Sequence, residues 1–277
     1  MVETTKGKNI IVETYDADYE ELLGNGTRAV FGVPDPAAET NIKYSRAYVE
    51  TEEAEISSIA AGTAAAITGT SITVTDESTT VTGVGTSFLT QVAPGNAIRL
   101  NSIGTYYKVR SIESNTSLTL AEPHVGNGTG AGTVKGAKVT LSTAPSDNSL
   151  VELFVPTTKN AAFTVQQDVK FSIDTKTEDI KELGNDAITR DVVEKTGTLE
   201  LALAQAKNHT TINKLALNSK NDTWMVIAVK YKNTDPASYR IFKEARVNEI
   251  GGDASAGAVA TEQATFNWKP PLEIKTS

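Results

Sequence analysis

The stretch Val81–Leu120 reads VTGVGTSFLTQVAPGNAIRLNSIGTYYKVRSIESNTSLTL, and its pattern decides the fold class. Apolar and polar residues alternate in three runs, at Ile98–Leu100, Tyr107–Ile112 and Leu118–Leu120. Alternation with period two places one side chain in a core and the next in solvent, as in a β-strand. Gly, Pro, Asn and Ser cluster between the runs, and these residues favour tight turns. The stretch therefore predicts a small antiparallel β unit.

The composition of the chain limits the classes of protein it can be. Its 277 residues suffice for one large domain or two ordinary ones, and 39% of them are hydrophobic. Because there is no cysteine, and His124 and His209 are the only histidines, neither disulfides nor a zinc site of the usual ligands is expected. No long apolar run and no signal-peptide pattern occur, so we expect no membrane insertion and synthesis in a cytoplasm.

The negative charge is concentrated near the N-terminus. The chain has a formal net charge of −8, and residues 1–62 contain twelve acidic but only five basic residues. Proteins that read nucleic-acid sequence need a basic surface, so this function is disfavoured. An acidic surface repels the DNA backbone, and it would let nucleic acid pass without binding.

The C-terminal part of the chain predicts strands and one helix. Val169, Phe171 and Ile173 alternate with polar residues, and so do Leu199, Leu201 and Leu203. Apolar residues three and four apart predict a helix over 204–217. Further strands are expected at Trp224–Tyr231, Tyr239–Ile250 and Val259–Trp268. This order predicts a mainly β fold, an antiparallel β barrel or sandwich with one packed α-helix.

A long polar segment, Asp174–Lys195, separates the first two of these strands. It is too polar for a core strand pair and too long for a hairpin turn, so we expect a long loop that contacts a partner. Glu178, Asp179 and Glu182 could alternatively be paired catalytic carboxylates. The basic residues of the same segment fit an ion-pairing contact loop at least as well.

Three regions are predicted. Residues 1–60 would form an N-terminal arm with the first strand or strands of the main domain, since glycines and prolines interrupt residues 1–46. Residues 61–160 would form an inserted, small all-β domain, in which Val125–Gly136 is a flexible glycine-rich loop. Residues 161–277 would form the main β domain.

No pattern in the sequence predicts catalysis, a metal or a cofactor. The glycines at 83–85 and 126–132 lack the strand, helix and Lys-Ser/Thr context of a phosphate loop. His209 has no nucleophile or orienting acid at a recognisable spacing. Four acidic residues could bind calcium but lack the spacing and the glycine of an EF-hand, which favours a solvated segment. These residues are Asp16, Asp18, Glu20 and Glu21.

Two stretches resemble structural proteins of tailed bacteriophages. The TGVGTSF…GNAIRL…YKVRSIESNTSLTL pattern of Val81–Leu120 resembles a β module of such proteins. Residues 163–208, FTVQQDVKFSIDTKTEDIKELGNDAITRDVVEKTGTLELALAQAKN, with WMVIAVKYKNTDPASYRIFKEARVNEIGG and ATFNWKPP, resemble the tail tube proteins of long-tailed phages. The resemblance implies hexameric rings that stack into a tube through which the genome leaves the virion.

The resemblance also implies roles for particular residues and partners. The long loop Asp174–Lys195 would reach a neighbouring subunit or ring through eight charged residues: Asp174, Lys176, Glu178, Asp179, Lys181, Glu182, Arg190 and Lys195. Asp168 and Glu200 are candidate acids of the tube lumen, and residues 61–160 would decorate the outer surface. Partners would be copies of the same chain, the tape measure protein, the terminator, a sheath if there is one, and DNA in transient non-specific passage.

Two other classes of protein remain open on the sequence alone. One is a receptor-binding module, such as a baseplate or fibre protein or a β-sandwich adhesin for carbohydrate. The other is a capsid decoration or head-tail joining protein, which the β module alone would also fit. An enzyme is the least favoured class, because no catalytic pattern is found.

Overall fold

The computed structural model describes residues 3–6, 10–100, 104–160, 163–165, 168–181, 188–231, 238–253, 261–270 and 273–276. The elements up to residue 100 are β1 (Glu3–Lys6), β2 (Ile10–Leu23), β3 (Val30–Gly32), β4 (Arg46–Val49), β5 (Glu52–Glu53), β6 (Ile56–Ala60), β7 (Ala65–Ala66), β8 (Ser71–Val74), β9 (Thr80–Val84), helix α1 (Phe88–Gln91) and β10 (Ala97–Leu100). A 3-10 turn lies at Ile42–Tyr44.

The remaining elements are β11 (Tyr107–Ser114), β12 (Ser117–Leu120), β13 (Gly128–Gly130), β14 (Gly132–Lys135), β15 (Lys138–Leu141), β16 (Leu150–Lys159), β17 (Phe163–Val165), β18 (Asp168–Lys181), β19 (Ile188–Ala204), helix α2 (Gln205–Lys220), β20 (Met225–Tyr231), β21 (Ser238–Asp253), β22 (Thr261–Trp268) and β23 (Glu273–Thr276). The strand pairs are antiparallel, and residues in strands far outnumber residues in helices. The predicted mainly β class with one packed helix is confirmed; the short α1 was not predicted.

The chain divides into two compact units. We call Met1–Asp16 with Lys159–Ser277 the terminal unit, and Ala17–Thr158 the middle unit. The boundaries fall within β2 and β16. The inserted domain at 61–160 stays a prediction.

The terminal unit has a sheet in the order β1-β18-β19-β22-β21-β20-β2, with β17 paired to β2 and β23 paired to β21. Leu199 and Leu201 of β19 are fully buried, as the predicted alternation requires, and Leu215 joins them from α2. The Phe242 ring meets the Trp268 ring edge to face, with centroids 5.1 Å apart. The predicted helix and the last three strands are therefore present, with ends shifted by a few residues.

The middle unit contains an eight-stranded sheet in the order β13-β8-β9-β12-β11-β10-β14-β7, and a three-stranded sheet β3-β15-β6. The predicted strands of Val81–Leu120 form the centre of the larger sheet, where Ile98, Leu118 and Leu120 are buried. A bulge near Arg110 interrupts the alternation of β11, so that Ser111 faces Thr119 and Ile112 faces Leu118 in register.

Buried Asn96 links the two sheets of the middle unit. Its side-chain oxygen accepts the Ala93 N–H at 3.0 Å, and its amide group donates to the carbonyls of Val33 and Ala137. The side chain is fully buried, so each of these hydrogen bonds satisfies a group that water cannot reach.

Three segments differ from expectation. The glycine-rich segment Val125–Gly136 contains β13 and β14 rather than forming a flexible loop throughout, because its glycines allow close packing under Ile72 and Val74. The described parts of Asp174–Lys195, residues 174–181 and 188–195, are not a long loop but belong to two long paired strands. The expected N-terminal arm contains the fourteen-residue strand β2, whose Val12 and Tyr15 are buried.

Candidate functional site

The β18–β19 hairpin extends past the strands on either side of it. The register of β18 and β19 runs from Val169 opposite Leu201 to Lys181 opposite Ile188. β1 covers only Asp168–Phe171 of β18, and β22 covers only Gly197–Ala204 of β19. Beyond those pairs, no described strand lies against either edge of the hairpin. The hairpin therefore ends as a two-stranded ribbon.

We call this ribbon the hairpin arm: Asp174–Lys181 of β18 with Ile188–Thr196 of β19. Eight residues of β18 at the usual rise per residue give it a length of about 26 Å. A β-bulge lies within it, because Lys176 is opposite Glu194 while Thr177 is opposite Val192, which leaves Val193 as the extra residue. Bulges increase the local twist of a ribbon and redirect its end.

Seven of the eight predicted contact residues lie on the hairpin arm. Asp174, Lys176, Glu178, Asp179 and Lys181 belong to β18, and Arg190 and Lys195 belong to β19. The eighth, Glu182, lies outside the described residues. Asp174 and Lys195 are exposed, as is 37% of Ile173 at the base of the arm. The predicted residues are thus brought together, but on strands instead of a loop.

The strand register adds two acidic residues that the sequence reasoning missed. Glu194 is opposite Lys176, and Asp191 is opposite Glu178. These residues were missed because the sequence does not show which strands pair. A two-stranded ribbon does not need alternating apolar residues, so no such pattern marks it. The register also sets Asp179 opposite Arg190, so positions of opposite charge face each other at two places along the arm.

The two candidate lumen acids lie near the base of the hairpin. The backbone of Asp168 pairs with Lys6 of β1. Glu200 is half-buried, opposite Lys170 on β18 and Thr265 on β22. With Lys170, Phe171, Ser172 and Thr198, Glu200 lines a shallow depression of about 130 Å³. The surface around Glu200 is therefore of mixed charge.

Three of the four acidic residues weighed as calcium ligands have separate partners, and one of them, Glu20, is buried rather than solvated. Asp16 accepts hydrogen bonds from Asn160 and Asn218 and forms an ion pair with Lys214 at 2.9 Å. In the middle unit, Glu20 pairs with Lys108, and Glu21 accepts a hydrogen bond from the Tyr19 hydroxyl. Among the described residues, no three potential ligands are grouped as a metal site would need.

A second acid fixes β2 in the terminal unit. Glu13 accepts a hydrogen bond from the Tyr15 hydroxyl at 2.8 Å and pairs with Lys230 and Lys159 at 2.7 and 3.2 Å. Burial alone would raise the pKa of Glu13, but the hydrogen bonds from Lys230, Tyr15 and Lys159 lower it below its usual value. The carboxylate therefore stays ionised and has a positional role.

The remaining candidate residues from the sequence are two glycines near the end of β9 and a histidine of a helix. Gly85 adopts a φ of 68°, a backbone conformation that favours glycine. An added Cβ on Gly83 would overlap the Thr86 side chain, so this position requires glycine for packing. His209 lies within α2. Among the described residues, no helix is long and apolar enough to cross a membrane.

No protein-family model matches the sequence, and no curated protein matches it either.

Proposed function

We propose that this chain is a structural virion protein, the subunit of a phage tail tube, which forms hexameric rings that stack into a conduit for the genome. The observation that carries the proposal is the hairpin arm, a charged ribbon with no described strand at either edge. The mainly antiparallel β fold with α2 packed against it is consistent with the same proposal.

Open strand edges favour pairing with another chain. An unpaired edge presents a row of N–H and C=O groups, and an isolated two-stranded ribbon is marginally stable in water. A partner that adds a strand or packs over the arm would satisfy those groups. If the partner is another copy and the contact joins different surfaces, repetition gives a closed ring or a filament.

The charges of the arm suit a copy of the same chain as partner. Its described strands carry five acidic and four basic residues, so the ribbon is close to neutral and has both signs interspersed. Such a surface gains specificity from complementary pairs at a self-contact. The net charge of −8 would let DNA slide through the tube without binding. Assembly in the host cytoplasm, with the partners named above, belongs to the same proposal.

Electron microscopy of the purified full-length protein tests the proposal. At high concentration we expect rings or tubes with an open lumen. In the truncated variant, Asp174 is joined to Thr196 through an Asn-Gly turn, which fits a two-residue hairpin at that register. We expect this variant to fold and not to form tubes. The control is Val125→Ser, which alters an 81%-exposed apolar side chain of the middle unit and should leave assembly unchanged.

The outcomes separate the alternatives. Tubes formed equally well by the truncated variant would contradict the role of the arm. A full-length protein that stays monomeric at every concentration, and that binds glycans on an array, would favour the receptor-binding class instead.

A further inference from the structure

One carboxylate of the terminal unit holds three side-chain nitrogen atoms from two distant segments of the chain. Asp16 accepts a hydrogen bond from the amide of Asn160 at 2.8 Å and another from the amide of Asn218 at 2.9 Å. Both amides donate to Oδ1, while Oδ2 forms an ion pair with the Lys214 ammonium at 2.9 Å. All four residues belong to the terminal unit. An amine and two carboxamides therefore surround one carboxyl group.

These three kinds of group are the parts of a transamidation. A lysine nitrogen that has lost its proton can attack a carbonyl carbon, and a neighbouring carboxylate can take that proton. Holding the reactants side by side replaces an encounter between two molecules by a reaction within one. The four-carbon stem of lysine is flexible, so Nζ of Lys214 can turn from Oδ2 toward a carbon atom beside Oδ1.

The exposure of the two charged side chains limits the rate of such a reaction. The Asp16 side chain is only 16% exposed, whereas the Lys214 side chain is 38% exposed. An ammonium ion is not a nucleophile, so only those molecules in which the proton has passed to Asp16 can react. The bond should therefore form slowly after folding is complete.

Asn160 is the better target of the two amides. Asn218 lies one turn after Lys214 on α2, so a bond between them would close a small ring within one helix. The Asn218 side chain is buried, and its amide nitrogen also lies 3.5 Å from the sulfur of Met225, which holds it in place. Asn160 is half-buried and follows the last residue of β16, outside the strands and helices. A bond to Asn160 would join two separate segments.

We propose that Lys214 forms an isopeptide bond with Asn160, and that Asp16 carries the proton. The ammonium gives one proton to Asp16, Nζ bonds to Cγ of Asn160, and the Cγ–Nδ2 bond of Asn160 breaks. The leaving nitrogen takes a second proton from Nζ and the proton carried by Asp16, and it departs as ammonium. Asp16 ends as it began, so the reaction needs no oxidant, reductant or further reactant.

The bond would anchor the segment that carries the hairpin arm. It closes residues 160–214 into a covalent loop that contains β17, β18 and β19. A crosslink between distant residues restricts the unfolded chain, whereas a bond within one helix restricts little. The bond forms within a single chain, so it does not depend on assembly.

Trypsin digestion and mass spectrometry of the purified full-length protein test the bond, after weeks at a temperature below the unfolding transition. We expect a branched peptide in which residues 160–170 are joined to residues 208–220, with a combined mass lower by one ammonia. Its amount should rise with time. Loss of ammonia from the intact protein is not sufficient evidence, because Asn25-Gly26 can also lose ammonia by closing a succinimide ring.

Three variants assign the roles of the residues. Lys214→Arg keeps a positive charge beside Asp16, but a guanidinium is not a nucleophile, so the branched peptide should be lost. Asp16→Asn removes the proton carrier and should slow formation of the peptide by about 100-fold or more. The matched control is Lys230→Arg, because Lys230 is 37% exposed and pairs with Glu13 at 2.7 Å; in this variant the peptide should form normally.

The outcomes are distinct once circular dichroism has shown that each variant folds. Absence of the branched peptide from the folded wild-type protein overturns the proposal. A bond from Lys214 to Asn218 overturns the assignment of Asn160. Formation of the peptide at the wild-type rate in Asp16→Asn overturns the role of Asp16.

Discussion

Asp18 is a carboxylate that weakens the middle unit at neutral pH. Its Oδ2 atom is inaccessible to solvent and has no hydrogen-bond partner among the described residues. Burial, together with the nearby charge of Asp35, raises the pKa of Asp18 from 3.8 to about 6. We therefore predict that Asp18→Asn, which has the shape of the protonated acid, stabilises the middle unit at neutral pH.

The sign follows from proton binding. The folded protein holds the Asp18 proton up to about pH 6, whereas the unfolded chain releases it near 3.8. Between these values the unfolded state binds fewer protons, so the free energy of unfolding falls as pH rises. The full difference in pKa corresponds to about 3 kcal/mol. Because Asp18 is partly exposed, solvent screening reduces the expected gain of Asp18→Asn to about 1–2 kcal/mol near neutral pH, and to about zero near pH 4.

Native-state hydrogen exchange of peptides from residues 17–23 of β2 and from β3, at a series of pH values, measures this effect in the middle unit. Tryptophan fluorescence does not serve, because Trp224 and Trp268 both lie in the terminal unit. Asp147→Asn, which replaces an exposed carboxylate of the middle unit, is the matched control and should follow the wild-type pH profile. Equal protection of Asp18→Asn and wild type near neutral pH would refute the reasoning.

Three further substitutions test other contacts. Asn96→Ala should destabilise the middle unit by about 2–4 kcal/mol, because the Ala93 N–H and the Val33 carbonyl lose this partner and the Ala137 carbonyl keeps only the Val33 N–H. Hydrogen exchange measures this, and a loss below about 1 kcal/mol would contradict it. Gly197→Ala should destabilise the terminal unit by about 1–3 kcal/mol, since the added Cβ would overlap the Trp268 ring; unchanged fluorescence and an unchanged urea midpoint would count against this. Glu13→Gln should cost about 1–2 kcal/mol near neutral pH in the same assay. The folded-state pKa of Glu13 lies below the ordinary value of 4.5, so its contribution is full above pH 4.5 and is lost as the carboxylate is protonated at lower pH. The cost of Glu13→Gln should therefore shrink as pH falls below 4.5. A cost independent of pH would exclude the ion pairs as its cause.

The sequence predicted the elements that bury one face. Leu199 and Leu201 alternate because one side of β19 faces the core, and Leu215 marks the buried stripe of α2. β2 was harder to recognise, because lysines compensate the charges of Glu13 and Asp16 and amides donate hydrogen bonds to Asp16. Such compensation depends on residues more than a hundred positions away, and no local pattern reveals it.

The predictions of loops were wrong for a different reason. β13 and β14 contain glycines whose absent side chains allow close packing, so they show no hydrophobic alternation. The turns near residues 24–28 and 145–149 meet only in the folded chain, where the Gly24 N–H donates to the Ser149 carbonyl. Turn-forming residues mark each turn separately, but their meeting is a tertiary event.

The hairpin arm was hard to predict for both reasons, because it lacks hydrophobic alternation and its neighbours are set only by the folded chain. Removing it therefore tests its role directly. A two-stranded ribbon with no described strand at either edge is marginally stable by itself, and it has no need of alternating apolar residues. We therefore expect the arm to contribute little to the stability of its own unit. Its length exceeds the cover that β1 and β22 provide, and such an excess is costly unless another chain pairs with it. Truncation at the Asp174–Thr196 pair should therefore leave the urea midpoint of tryptophan fluorescence nearly unchanged while it abolishes tubes. If truncation instead unfolded the terminal unit, the arm would be part of its fold, and the argument for an assembly contact would fail.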